Sequence, residues 1–429
     1  MTLARAPRAP RRAPADLSFA PDPALIEAFA AGEPEWLAAD RRAALALFDE
    51  LPAETNQLYT PYIDLRSADL EDVRAYGPSE NAPGAEVDAS WPAGVAVTPL
   101  RDWVRDDPAA AERLLTTGAP LPADDKLAQL TRAAWNQGVV IRVAPGVQLD
   151  RPIVVRWPAG EPGRGLLTRT IIELGAGAKA SVVEDLSGAP AVGGSQALFT
   201  ASTEVVLGQG AELALASIQD LPASTVAFQH RHASIGEAAK LHWALAQLGG
   251  RLVRSRVDNV LVGDRSSVEQ VEIVFGADEQ LFDLTSYTRH VGRDTTGNLL
   301  SKGVLLDAAR SYLKGMITIE KSARGTDSFL GEFGMNLSKK TRSVAIPSLE
   351  IDQPDCRRAM HSSSVGPIDE TQLFYLESRG IPPDEARKFI VLGFLEPVVA
   401  RVPVEAERDR LRELLEAKWL AGTEGLAAA

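Results

Sequence analysis

The sequence predicts a mainly β fold, a solenoid of stacked β-rungs with a helical region before it and another after it. Three observations carry this. From Val139 to about Ile351 the chain runs as short β-rich segments separated by glycine, with helical periodicity mostly absent. A corner motif recurs in that stretch: Leu174-Gly175-Ala176-Gly177-Ala178, Leu207-Gly208-Gln209-Gly210-Ala211, Ile235-Gly236-Glu237-Ala238-Ala239 and, more loosely, Val262-Gly263-Asp264-Arg265-Ser266. Its glycines, 175, 208, 236 and 263, are roughly thirty residues apart, a spacing typical of stacked repeats. No rung buries its apolar face alone, so rungs stack and share one core. The rival fold is an antiparallel sandwich with glycine turns, but sandwich strands recur at about 8–12 residues, a shorter period.

Taken in order, residues 1–20 read as a disordered arm. Arg5, Arg8, Arg11 and Arg12 occur there without an acid before Asp16, which also suits a transit-type leader, but Pro7, Pro10 and Pro14 break any continuous amphipathic helix. Residues 21–137 read as mostly helical. Pro23, Pro34, Pro99 and Pro108 suit first helical turns, with Asp22, Thr98 and Asp107 as N-caps. Leu37, Leu45 and Phe48 share one helical face. Tyr76 to Gly94, rich in Pro, Gly, Ala and acid, reads as a linker or exposed loop. A helix is expected over Asp124–Asn136, with Gly138 just past its end.

The β core is expected over 138–365, with strands at Val139–Val143, Ile153–Trp157, Thr170–Leu174, Glu204–Leu207, Val257–Val262 and Val268–Phe275. Glycine suits its corners because it reaches positive φ cheaply. Residues 366–429 return to helix. Asp369 and Gln372 resemble a capping box, and Gly380 ends the helix they start. A second helix is expected from Pro383 to Glu396, stopping before Pro397. A third carries Val404, Leu411, Leu414, Leu415 and Trp419 at helical spacing.

Composition narrows the function. The 429 residues hold one cysteine, and 45 Lys and Arg stand against 58 Asp and Glu, a formal charge of −13. An acidic chain of this kind is poorly suited to nucleic acid. One cysteine excludes an internal disulfide framework, a four-cysteine zinc site and a self-contained iron–sulfur cluster, and is compatible with a reducing cytoplasm. No apolar run approaches the roughly 20 residues that cross a bilayer. No phosphate-binding Gly-x-x-x-x-Gly-Lys-Ser/Thr loop, dinucleotide fingerprint, Gly-x-Ser-x-Gly elbow or His-Glu-x-x-His occurs.

Of five histidines, His230 and His232 alternate on an expected strand and share a face, where polar surface is the ordinary role. His242 and His290 have no local partner signal. Cys356 and His361 differ because Asp352-Gln353-Pro354-Asp355-Cys356-Arg357-Arg358-Ala359-Met360-His361 places thiol, imidazole and carboxylate together, a donor set suited to iron or another borderline metal. Arg357 and Arg358 would favour the thiolate. Their odd separation would put Cys356 and His361 on opposite faces of an unbroken strand, so a bulge or a turn near Pro354 is required, and further ligands must come from elsewhere. Asp258, Asp264, Glu269 and Glu272 on successive runs support a rival reading, a β-helical polysaccharide enzyme using carboxylates, although charged outer positions on a solenoid are usually solvated.

The C-terminal third resembles the SufB/SufD family of iron–sulfur cluster assembly proteins. The residues are His361-Ser-Ser-Ser-Val-Gly366 and Asp369-Glu-Thr-Gln-Leu-Phe-Tyr-Leu-Glu-Ser-Arg-Gly380, followed by Glu385-Ala386 and Gly393-Phe394-Leu395-Glu396-Pro397. Lys302–Leu305, Gly315–Ile317, Thr341–Pro347, Leu349–Ile351 and Gly138–Gly146 running into Pro152-Ile153 fit the same family. The length and the single cysteine resemble the SufD branch more than SufB, whose members carry several cysteines; a SufB-type scaffold is the alternative within the family. The resemblance implies a right-handed parallel β-helix flanked by helices, and a non-catalytic assembly subunit. It implies a SufB-like paralogue as one partner and, on the C-terminal helices, a SufC-like ATPase that hydrolyses the ATP. It is compatible with a homodimer when the chain is alone. It implies no tightly bound cofactor, only transient iron or an iron–sulfur cluster at the interface with SufB, with iron entry supported by this chain. His361 matches the family histidine facing that interface. The cysteine found two residues earlier in some relatives is Ala359 here, and Cys356 aligns with it only if the chain is shifted.

Overall fold

The computed structural model describes residues 17–88, 90–188 and 194–427, with side chains to residue 422. The arm expected over 1–20 therefore lies, up to residue 16, outside the described residues. Among the described residues, ten strands form one sheet, A, and nine form the other, B. From Gln137 onward the chain alternates between them, and strand after strand pairs in parallel with the one two places earlier. The result is a parallel β-solenoid of eight turns. The sandwich is excluded because its strands would be antiparallel.

Pairing is in register, so columns of residues about thirty apart run the length of the rod. Ile172, Val205 and Ala233 form one such column facing the interior. The interior between the sheets is mostly Leu, Val, Ile, Phe and Ala, closed at its wide points by Trp157 and Trp243. The outer face of sheet A is covered by the N-terminal region, which packs Ile26, Phe48, Leu127 and Leu130 on Leu198, Val226, Phe228 and Leu252. The outer face of sheet B is covered by C-terminal helices through Val391, Leu395, Leu411, Leu415 and Trp419, set against Ala216, Ala244, Ile273 and Phe275.

The helices are α1 (Pro23–Ala30), α2 (Glu35–Glu50), α3 (Leu100–Asp106), α4 (Pro108–Arg113), α5 (Lys126–Ala134), α6 (Glu370–Ser378), α7 (Pro383–Val399) and α8 (Glu405–Ala427). Asp22, Asp107 and Asp369 cap as their positions suggested, each accepting from a first-turn amide. Thr98 does not cap: Pro99 occupies that position before α3, and Thr98 lies within the strand Val95–Pro99. The expected linker 76–94 contains a short strand, Glu86–Val87, paired with Ile153–Pro158. Gly138 is not a helix stop. It lies in the strand Gln137–Val143, where a Cβ would come within 2.8 Å of Leu100. Helix α7 runs through Pro397 to Val399, because Val398 and Val399 are buried on sheet B and hold the last turn despite the lost amide.

The strands are longer than the apolar runs suggested. Ala197–Leu207 begins seven residues before Glu204. Arg164–Leu174 contains Thr168, Arg169 and Thr170, all buried. Polar residues with partners inside the fold hid these strands from a reading based on hydrophobicity.

The corner glycines also have a different cause from the one expected. Gly175, Gly208, Gly236 and Gly263 are absent from the positive-φ residues; two positions on, Gly177, Gly210, Ala238 and Arg265 take the left-handed conformation. The motif glycines instead permit corners to stack on each other. A Cβ on Gly236 would sit 2.5 Å from the Leu207 carbonyl oxygen, and one on Gly263 would sit 2.0 Å from the Glu237 nitrogen. The two roles predict opposite outcomes on mutation. Gly263→Ala should destabilise by about 3 kcal/mol, the upper end for overpacking, whereas Ala238→Gly should stabilise by about 1 kcal/mol by relieving left-handed strain. Urea midpoints of the two variants against the parent check this.

Candidate functional site

The two ends of the rod differ. At the N-terminal end, Val95–Pro99 pairs antiparallel with Gln137–Val143, and Glu86–Val87 pairs antiparallel with Ile153–Pro158. These reversals stop the stacking. At the C-terminal end the last strands, Arg342–Ile351 in sheet A and Arg358–Gly366 in sheet B, have no neighbour beyond them. None of their residues is buried, whereas the strands just beneath bury residues along their length. Ile351, Met360 and Val365 are exposed there.

His361 lies on this terminal strand. Register places it over Leu330, a fully buried residue of the penultimate rung. In a parallel in-register pair both side chains leave the same face, so His361 occupies an interior-facing position that is exposed because the rod ends there. Cys356 is half-buried in the connection before that strand, and it packs with Leu349 and Ala359 on the small cluster of Leu299, Ile317, Ile319, Ala323 and Leu330. The strand starts at Arg358, so the parity problem does not arise: the turn around Pro354 lies between the sheets, and both donors border the Leu330 cluster. Arg357 and Arg358 are engaged with carboxylates. Arg357 pairs with Asp294 at 2.5 Å and Arg358 with Asp327 at 2.6 Å, continuing a ladder of charges along the corners. Among the described residues no group of three or more His, Cys, Asp or Glu could hold a metal ion. Cys356 and His361 thus offer two donors at an open end, without a third among the described residues.

Beneath the end rung lies a residue that the sequence reading missed. Glu332 is fully buried, with Ser363 of the terminal strand as its register neighbour. One carboxylate oxygen accepts from the Ile346 amide at 2.8 Å, and the other has no partner. Burial raises its pKa to about 8, opposed in part by the Ile346 amide and the Lys314 charge. It belongs to an interior column, Glu184, Ser217, Leu245, Glu272, Ser301, Glu332 and Ser363, running through successive rungs. Arg231 reaches into the same space from sheet A, 3.6 Å from Glu184 and 2.9 Å from the Ser217 hydroxyl. Glu272 accepts from Ser255 and Gln247, and burial raises its pKa too.

The other singled-out residues disperse. His230 and His232 do share a face, the outer face of sheet A. There His230 is buried 3.2 Å from Asp125, which also meets Arg256. His290 sits inside, bonded to the hydroxyls of Thr295 and Ser328, its pKa pushed down to about 4 by burial. His242 lies near Glu269 on sheet B. The four carboxylates of the polysaccharide reading do not converge: Asp258 clamps Arg256, Asp264 accepts from the Arg293 amide at a corner, Glu269 is outside and Glu272 inside.

A second exposed feature lies beyond the rod. Helix α6 buries none of its residues, and Phe374, Tyr375 and, on α7, Phe389 are 71%, 56% and 60% exposed. No helix is long and apolar enough to cross a membrane among the described residues.

Residues 158–394 match the sequence profile of the SUF system FeS cluster assembly, SufBD core domain. The chain is 29% identical over 326 residues to the iron–sulfur cluster assembly protein SufD of Bacillus subtilis, covering 76% of this chain and 74% of that protein. It is 31% identical over 398 residues to an iron–sulfur cluster assembly SufBD family protein of Mycobacterium tuberculosis, covering 89% of this chain and 94% of the relative.

The end-rung carboxyl makes stability depend on pH in a defined direction. Glu332 titrates near 8 when folded and near 4.5 when unfolded, so its stabilising contribution is full below 4.5 and is lost as pH rises toward 8. Glu332→Gln should flatten that part of the profile. Thermal melts of parent and variant between these limits should therefore diverge progressively, the parent losing more.

Proposed function

Because the chain belongs to the SufB/SufD family of the SUF iron–sulfur cluster assembly system and is SufD-like, we propose that it is a non-catalytic subunit of an assembly complex, working with a SufB-like paralogue and a SufC-like ATPase in the cytoplasm. The observation that carries the reading is the uncovered last rung. Two open strand edges flanked by exposed Met360, Val365 and Ile351 suit strand addition by another solenoid, which would continue both sheets and cover the interior-facing His361. In the absence of the paralogue a second copy can take that place, giving a homodimer.

On this reading iron or a nascent cluster is cargo rather than a resident cofactor. His361 supplies an imidazole donor, Cys356 a thiolate, and the paralogue supplies the remaining ligands and the sulfur. The ATPase docks on the C-terminal helices, where α6 and the exposed rings of Phe374, Tyr375 and Phe389 offer an apolar surface.

Two outcomes are expected. His361→Ala should leave folding and ATPase binding intact while lowering cluster formation by the reconstituted complex about tenfold or more, the scale on which weakened metal ligation acts. Normal cluster assembly in cells carrying that substitution would remove His361 from the mechanism. The docking surface is best tested by point substitution, because removing α7 and α8 would strip Leu395, Leu411 and Trp419 from the core of sheet B. Phe374→Ser combined with Phe389→Ser should abolish copurification of the ATPase with an unchanged melting temperature. Undiminished copurification would place the ATPase elsewhere.

A further inference from the structure

The N-terminal region contains a cavity of about 400 Å³ between α1, α2 and α3, far in sequence from the end rung. Its walls are mostly apolar, including Ala28, Leu37, Val104 and Pro108, with Phe29 and Trp135. Two guanidinium groups stack on those rings. Arg41 is fully buried and lies 4.2 Å from the centroid of Trp135, and Arg101 lies 5.0 Å from that of Phe29. They differ in what satisfies them. Arg41 holds Glu33 through two bonds of 2.7 Å and donates to the Ala133 and Trp135 carbonyls. Arg101, by contrast, makes no hydrogen bond or ion pair among the described residues. It is exposed at the cavity's edge, and the partial burial of its guanidinium lowers its pKa, opposed by the attraction of Glu33. The other arginine of the lining, Arg105, is occupied by Asp102 and Asp106.

The side-chain polar groups of the lining left without a partner among the described residues are donors. The Arg101 guanidinium has open N–H edges, and the indole N–H of Trp135 is buried without an acceptor. The acidic side chain of the lining, Glu33, has both oxygens taken by Arg41. A mostly apolar cavity with an unpaired cation at its open rim is complementary to an anionic acceptor with an apolar body. The chain's own arm does not meet that description, since Arg5, Arg8, Arg11 and Arg12 would oppose Arg101.

We propose that this cavity binds a small amphipathic monocarboxylate, its carboxylate on Arg101 at the rim and its apolar body along the accessible apolar lining, Ala28, Pro34, Pro78 and Pro108. The site is separate from the end rung, so occupancy is read without reconstituting any complex. The probe is octanoate, titrated into the full chain while indole fluorescence is followed, with octylamine as the charge-reversed control of equal apolar length. A saturable octanoate response, absent with octylamine, is expected. Arg101→Gln should weaken it about tenfold or more, the usual effect of losing a charged hydrogen bond. Equal responses to the two probes, or no saturable response to octanoate, would overturn the proposal on the parent protein alone. An undiminished octanoate affinity in a folded Arg101→Gln variant would overturn it as well.

Discussion

In-register stacking is the constraint on which the rest of this molecule depends. Each residue of a rung lies over its counterpart about thirty positions away, so sequence period becomes spatial column. Columns decide where glycine is required, where the interior is apolar and where helices find an apolar outer face. A rung satisfies its backbone only by pairing above and below, so the two ends of the rod are the places where the constraint must be relaxed. The N-terminal end relaxes it with antiparallel strands, which do not propagate the stack. At the C-terminal end the rod stops with both edges open. That asymmetry gives His361 its position: one rung deeper, its place is filled by buried Leu330.

The interior is not uniformly oily, and this bears on what the open end presents. Glu184, Glu272 and Glu332 recur along one inner column, and Arg231 answers only part of it. Burying carboxyls is costly unless they are paired or protonated, and apolar residues of similar volume would commonly be at least as stable. The raised pKa values of Glu272 and Glu332 follow from this: burial favours the neutral acid. A partner covering the last rung would therefore meet Ser363 over a carboxyl whose pKa burial raises to about 8, on the face that carries His361, rather than a sealed apolar plug.

What could be read from the sequence followed from these same causes. The solenoid was legible because glycine marks corner approach at a fixed period, even though positive φ falls mostly on its neighbours, including Ala238 and Arg265. Helices α1, α4 and α6 were legible from their aspartate caps. Strand lengths were not, because Thr168, Arg169 and Thr170 are buried, and a linear pattern does not show a partner one rung away such as Glu204 for Arg169. Pro397 misled for a similar reason: tertiary burial of Val398 and Val399 outweighs the local cost of proline. At the candidate site, His361 was identified from its surrounding motif, while its interior-facing orientation depends on which rung is last. Glu332 was illegible because a lone acid on a strand usually marks a solvated face, and only its register with Glu272 two rungs below places it inside.

A shortage of ligands at the open end is itself informative under the proposed role. A chain that closed four strong donors around iron would retain it, because each added ligand deepens the site and slows release. Here Cys356 is half-withdrawn into the Leu330 cluster and His361 stands exposed above the same cluster, with no third donor alongside among the described residues. Such a half-site gains useful affinity only when a second surface completes it, and loses that affinity when the surfaces part. Coupling the parting to an ATPase seated on α6 and α7 would then make release depend on nucleotide turnover rather than on ligand exchange. The rigidity of the rod serves that arrangement, since a stacked core transmits a displacement of its covering helices instead of absorbing it.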